Sequence, residues 1–332
     1  MRSSPTRTNR FSLLALAAGA LILLVAGCGD DEETGDASGA EAPAASTFPS
    51  PDGRSLSELA TDAAPDDELV VSPAGQVFTE GRNRFGFGVF TVDREQLTDA
   101  DVAIYVAPGP DGEAQGPFPA RVESLETEPA FTAENTASDP DAAKAVYVTD
   151  LQLDQSGEWR MLALVKRDDE FAAVRMPSIV VQRQDPVPAP GQRAPSVHTP
   201  TADEVSDIQD IDTRIPPGTM HEDDLAEVLG KKPVVLLFAT PALCQSRVCG
   251  PVVDIAEQVK RDRGDEAAFI HMEIYNDNLA NKGLRRQVQA YNLPTEPWLF
   301  AIDCDGKVDS RIEGAFSIAE LEQALDRISD SC

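Results

Sequence analysis

Apolar residues along this chain follow two different rhythms. Between residues 66 and 184 the pattern is short and strand-like. Arg84 to Val92 alternates, with Phe85, Phe87 and Val89 on one face. Val102-Ala103-Ile104-Tyr105-Val106, Ala145 to Val148 and Glu158 to Val165 are further strand-length runs. Turn signals at Pro108-Gly109-Pro110-Asp111-Gly112 and Ser156-Gly157 separate them. No helical period of useful length interrupts them, so the pattern predicts an antiparallel β-sandwich. From about Ile211 helices and strands alternate, the mark of an α/β domain. His221 to Leu229 reads as a short helix. Val234 to Phe238 is an unbroken apolar run, as in a strand covered on both faces. Val252, Val253, Ile255, Ala256 and Val259 share one helix face, with Pro251 in the first turn and Lys260, Arg261 and Arg263 in the last. Then come a strand over Ala268 to Ile274, a helix over Leu279 to Tyr291 weakened by Gly283, and a strand to Ile302. Asp305-Gly306 marks a hairpin, Lys307 to Ile312 its second strand, and Ser317-x-x-Glu320 a capping box opening the last helix.

Composition divides the chain further. Residues 28–65 are rich in Asp, Glu, Ala, Ser, Pro and Gly and read as a flexible acidic tether. Residues 185–210 open with five prolines in sixteen positions and read as an extended linker. The expected order is therefore 1–27 processing segment, 28–65 tether, 66–184 sandwich of immunoglobulin-like size, 185–210 linker and 211–332 α/β domain. The formal net charge of −29 excludes nucleic acid as a partner, since phosphates demand cations. An anionic lipid surface would likewise repel it.

The N-terminus carries Arg2, Arg7 and Arg10, then an apolar run from Phe11 to Val25, too short for a spanning helix. It closes with Val25-Ala26-Gly27-Cys28. This order resembles the bacterial lipoprotein signal, which implies cleavage before Cys28, lipidation of Cys28 and anchorage to the cell membrane on the extracytoplasmic face. Of the five cysteines, Cys244, Cys249, Cys304 and Cys332 then remain, in a compartment that permits disulfides. Four cysteines allow three pairings. Cys249 stands where the amphipathic helix begins. Unpaired N–H groups and the helix dipole there should lower a thiol pKa, which makes Cys249 the expected nucleophile.

The strand, the loop Thr240 to Val248 and the helix opening Cys249-Gly250-Pro251 resemble the thioredoxin superfamily. The likeness covers about residues 211–332. It departs from the family in spacing: the cysteines stand as Cys-x4-Cys, and Val252 occupies the family's second cysteine position. The resemblance implies an α/β thioredoxin-like fold, a Cys244–Cys249 redox pair and a cis proline at Pro297 facing it. It also implies a Cys304–Cys332 bond that staples the last helix. Cys249 would attack a protein disulfide and Cys244 would resolve the mixed disulfide. Glu296, before Pro297, would raise the thiol pKa or relay its proton, and Arg247 would stabilise the thiolate. Protein thiols and disulfides are the implied partners, and no cofactor or metal is required. Two other readings stand beside this one. In the first the domain is a non-catalytic adaptor with structural disulfides. In the second it resembles Sco-type copper proteins, with His271 and Met272 near the cysteines; a satisfied strand histidine is the simpler account of His271.

Overall fold

The computed structural model describes residues 41–167 and 170–331. The apolar leader, Cys28 and Cys332 lie outside the described residues, and with them the lipidation site and one half of the expected Cys304–Cys332 pair.

The first half of the chain contributes β1 (Ala64–Pro65), β2 (Leu69–Pro73), β3 (Phe78–Thr79), β4 (Gly81–Thr91), β5 (Gln96–Leu97), β6 (Val102–Pro108), β7 (Gln115–Pro119), β8 (Arg121–Ser124), β9 (Ala145–Leu153), β10 (Gly157–Arg167) and β11 (Glu170–Gln182). One sheet runs β1-β11-β10-β6-β7, with β3 on β11; the other runs β2-β4-β9-β8, with β5 on β4. Their inner faces share one core. Phe85, Phe87, Val89 and Tyr147 meet Ile104, Val106, Trp159 and Met161. The alternation along Arg84 to Val92 thus points its apolar face inward.

Strand β6 is buried on both faces, as is most of β10. Something must therefore cover the outer face of that sheet. Residues 44–63 do so. Phe48, Leu59, Ala60 and Ala63 pack over Ala103, Tyr105, Leu162 and Leu164, and Tyr105 Oη donates to the Pro49 carbonyl at 2.6 Å. Helix α1 (Leu56–Asp62) starts with a full Ser55/Glu58 capping box. The tether expected over 28–65 is corrected here: from Ala44 onward the segment belongs to the fold. A few well-spaced apolar residues outweigh its polar composition.

The second half is arranged around a four-stranded sheet of β12 (Val234–Phe238), β13 (Ala268–Met272), β14 (Trp298–Ile302) and β15 (Val308–Glu313), in the order β13-β12-β14-β15. β12 and β13 are parallel; β14 and β15 run antiparallel to their neighbours. One face carries α4 (Cys249–Arg263) and α6 (Ile318–Ser329). Val252, Val253, Ile255, Leu321 and Leu325 pack there against Val235, Leu237 and Leu299. The other face is covered by Val288, Tyr291 and Leu293 and by Val187 and Ala194. The expected linker over 185–210 is therefore also corrected. Arg311 Nη1 donates to the Val187 and Pro188 carbonyls, and Tyr291 Oη donates to the Pro195 carbonyl, holding it against the sheet.

Two expected helices shrink. α3 spans only Leu225–Val228, with Asp224 as its N-cap, and His221 falls outside it. α5 spans Arg286–Ala290, because Gly283 adopts φ 76° and separates it from two 3₁₀ turns. The two halves are bonded together. Leu125, Val146 and Val148 join the core beneath α4 and α6. Arg84 and Arg121 both pair with Glu320 of α6, at 2.8 and 3.0 Å. Ser317 Oγ caps α6 by accepting from Glu320 N. The Glu320 side chain goes to the arginines, so only half of the expected capping box is made.

Candidate functional site

Cys244 and Cys249 form a disulfide with Cα atoms 5.9 Å apart. In a regular helix a separation of five residues would span more than a disulfide tolerates. Cys244 avoids this by lying in the loop, with Arg247 at φ 61° turning the chain back. Helix α4 begins at Cys249 itself.

The two sulfurs have unlike surroundings. Cys249 is fully buried among Val248, Val252 and Val253, whereas Cys244 is partly exposed. The Cys249 N–H donates to Cys244 Sγ at 3.3 Å, and Ser246 Oγ lies 3.3 Å from the same sulfur. The helix N-terminus expected to favour Cys249 therefore favours Cys244, whose sulfur receives the first helical N–H. Arg247 is also not where it was expected. Its guanidinium pairs with Asp139 at 2.7 Å, and its carbonyl accepts from Ala143 N. A loop from the first half, with α2 (Glu134–Ser138), thus lies over one side of the cysteine loop. Gly250 meets it so closely that a Cβ would come within 2.6 Å of Thr136 Oγ1. A groove of about 530 Å³ opens on another side, lined by Val70, Phe87, Phe90 and Val92 together with Ser246 and Arg247.

The Glu296–Pro297 peptide is cis. Phe238 pairs with Trp298, which sets Pro297 beside the exit of β12, the end from which the cysteine loop departs. Glu296 is partly buried, and burial raises its pKa above the ordinary carboxylate value. Cys304 stands at the β14–β15 hairpin with Sγ 3.6 Å from the Ser331 carbonyl oxygen, at the end of the last helix.

A second polar group lies beneath the cysteine loop. Asp212, His221 and His271 are buried, and a ligand atom from each lies within 4.8 Å of the others. His221 Nε2 is 3.0 Å from Asp212 Oδ2, and His271 Nδ1 is 3.8 Å from Asp212 Oδ1. The latter is an ion-pair distance, too long for a hydrogen bond. Arg214 N and Gly218 N also donate to the Asp212 carboxylate. His271 Nε2 donates to the Ala239 carbonyl at 3.1 Å. Burial opposes charging His271, but the Asp212 carboxylate overrides it and its pKa is pushed up to about 9. Burial pushes Asp212 up too, yet the two imidazoles hold it well below the carboxylate range. Close by, buried Arg214 pairs with buried Asp254 of α4 at 2.8 Å. Thr213 Oγ1 donates to Glu273 Oε1 and accepts from Ala242 N, which ties this region to the cysteine loop.

Sequence reasoning passed over this cluster. Asp212, His221 and His271 follow no metal-ligand spacing. They converge because His271 N–H donates to the Met220 carbonyl, which lays the segment before α3 along the free edge of β13. Two of the chain's three histidines meet there, a composition signal too weak to read alone. The chain matches no known protein-family model, and no curated protein is similar to it in sequence.

Proposed function

We propose that this chain is a thioredoxin-like, membrane-anchored extracytoplasmic protein that exchanges thiols and disulfides through Cys244 and Cys249. The observation that carries the reading is the Cys244 sulfur, partly exposed and held at the N-terminus of α4 by the Cys249 N–H. A thiolate is stabilised at such a place, and access lets it react. Cys244 then attacks the partner disulfide, and buried Cys249 resolves the mixed disulfide. These roles reverse the assignment expected from the sequence. Three further features support the reading: the sheet order β13-β12-β14-β15 with α4 following β12, the cis Pro297 at the same sheet end, and a half-buried carboxylate at Glu296. The apolar groove beside Ser246 offers a partner's chain a place to lie. The first half serves as an immunoglobulin-like sandwich that frames the site. Anchorage through lipidated Cys28 rests on the leader pattern alone.

A glutathione titration with each thiol mapped by mass spectrometry tests the proposal. The Cys244–Cys249 bond should open at a potential above about −270 mV, in the range of exchange proteins. Cys249→Ser should accumulate a mixed disulfide at Cys244, and Cys244→Ser should accumulate none. A bond that resists reduction below about −300 mV, as structural disulfides do, would overturn it. The adaptor reading would then take its place. The Arg247–Asp139 pair and the close Thr136–Gly250 contact, which clamp the loop, favour that reading.

A further inference from the structure

We infer that Asp212, His221 and His271 form a site for one divalent transition-metal ion beneath the cysteine loop. The first ground is convergence. Two imidazoles and a carboxylate, all buried, bring ligand atoms within 4.8 Å of one another. Ligands about 2.0–2.2 Å from a tetrahedral ion stand roughly 3.3–3.5 Å apart. The observed separations of 3.0 and 3.8 Å bracket that spacing. The second ground is unmet bonding capacity. Nδ1 of His221, Nδ1 of His271 and Oε2 of Glu273 are buried with no hydrogen-bond partner among the described residues. Such atoms are costly unless something satisfies them. The third is orientation. His271 Nε2 is committed to the Ala239 carbonyl, which leaves Nδ1 facing Asp212 with its lone pair. Metal-binding histidines are held by this kind of outer hydrogen bond. Without a proton or an ion between them, that nitrogen and the Asp212 oxygen present lone pairs to each other.

The donor set selects the class of ion. Imidazole nitrogen and carboxylate oxygen suit Zn²⁺, Co²⁺, Ni²⁺ or Fe²⁺. Ca²⁺ and Mg²⁺ prefer oxygen alone, and Cu(I) prefers sulfur, which this group lacks. The site is independent of the disulfide reading, since no cysteine belongs to it. It touches that region through its scaffold. His271 holds the Ala239 carbonyl at the foot of the cysteine loop, and Thr213 joins Glu273 to Ala242 N. An ion here would stiffen the base of the loop.

The test uses the purified full chain, unfolded in chelator and refolded with Zn²⁺ or Co²⁺. Roughly one equivalent should stay bound through gel filtration, and the melting temperature should rise with metal concentration. The Co²⁺ form should show visible bands without sulfur-to-cobalt charge transfer. Asp212→Asn and His221→Gln should each weaken binding by more than the about 10–100-fold that losing an outer-shell partner costs. The Cys244→Ser/Cys249→Ser double variant should bind as the parent does. No binding by the parent chain, binding that survives both ligand substitutions, or a charge-transfer band marking thiolate ligation would each overturn the inference. The parent chain's Co²⁺ spectrum decides the matter even where a variant does not fold.

Discussion

The cysteine loop and the polar group beneath it belong to one module, yet they are built in opposite ways. The loop draws its chemistry from six consecutive residues, Cys244 to Cys249, and is held from outside by side chains partly open to water, such as the Arg247–Asp139 pair. The group below gathers Asp212, Thr213, Arg214, His221, Asp254, His271 and Glu273 from distant parts of the chain, nearly all of them desolvated. The difference teaches where rigidity lies. Charges removed from water must keep their partners, whereas an exposed pair can be lost at little cost. The foot of the loop is therefore fixed and its tip is free to open, which suits a sulfur that must meet a partner.

Three substitutions sharpen or break this contrast. The largest effect should come from Arg214→Met. It strands Asp254, which burial already pushes above its ordinary pKa even beside the guanidinium, and frees the Pro216 and Phe131 carbonyls. A loss of about 3–5 kcal/mol is expected from the shift in urea midpoint; a loss below about 1 kcal/mol would erase the distinction between foot and tip. An intermediate case is Glu320→Gln, at the junction of the two halves. Burial would raise this carboxyl, but Arg84 and Arg121 prevail and hold its pKa below the usual 4.5. A carboxylate lowered in the folded state adds stability at neutral pH that is lost as pH falls through the folded value. The substitution should cost about 2 kcal/mol at pH 7 and flatten the acid limb of the stability profile. Equal acid sensitivity in both forms would show that Glu320 carries none of it. The smallest effect belongs to Arg247→Ala, under about 1 kcal/mol. It should make Cys244–Cys249 easier to reduce, seen as faster opening by dithiothreitol at unchanged melting temperature. A loss as large as that of Arg214→Met would mean the tip is as rigid as the foot.

The sequence by itself determined what rests on neighbours along the chain. Unbroken apolar runs at Val102 to Val106 and Val234 to Phe238 demanded strands covered on both faces. The face of Val252, Ile255 and Val259 demanded a helix. Cys244 and Cys249 between them marked the disulfide. Gly283, read as a weakness, is where the expected helix breaks. Tertiary structure decided the rest, because the deciding contacts join residues far apart in sequence. Residues 44–63 and 185–200 look like tethers by composition, and become covers only because each sheet has a bare apolar face of matching size. Which sulfur meets solvent depends on how the loop turns at Arg247 and on what packs over α4. The Asp212–His221–His271 group exists only because the segment before α3 bonds along the edge of β13. No spacing along the chain records that meeting, since hydrogen bonding at a sheet edge is open to any backbone the fold brings to it.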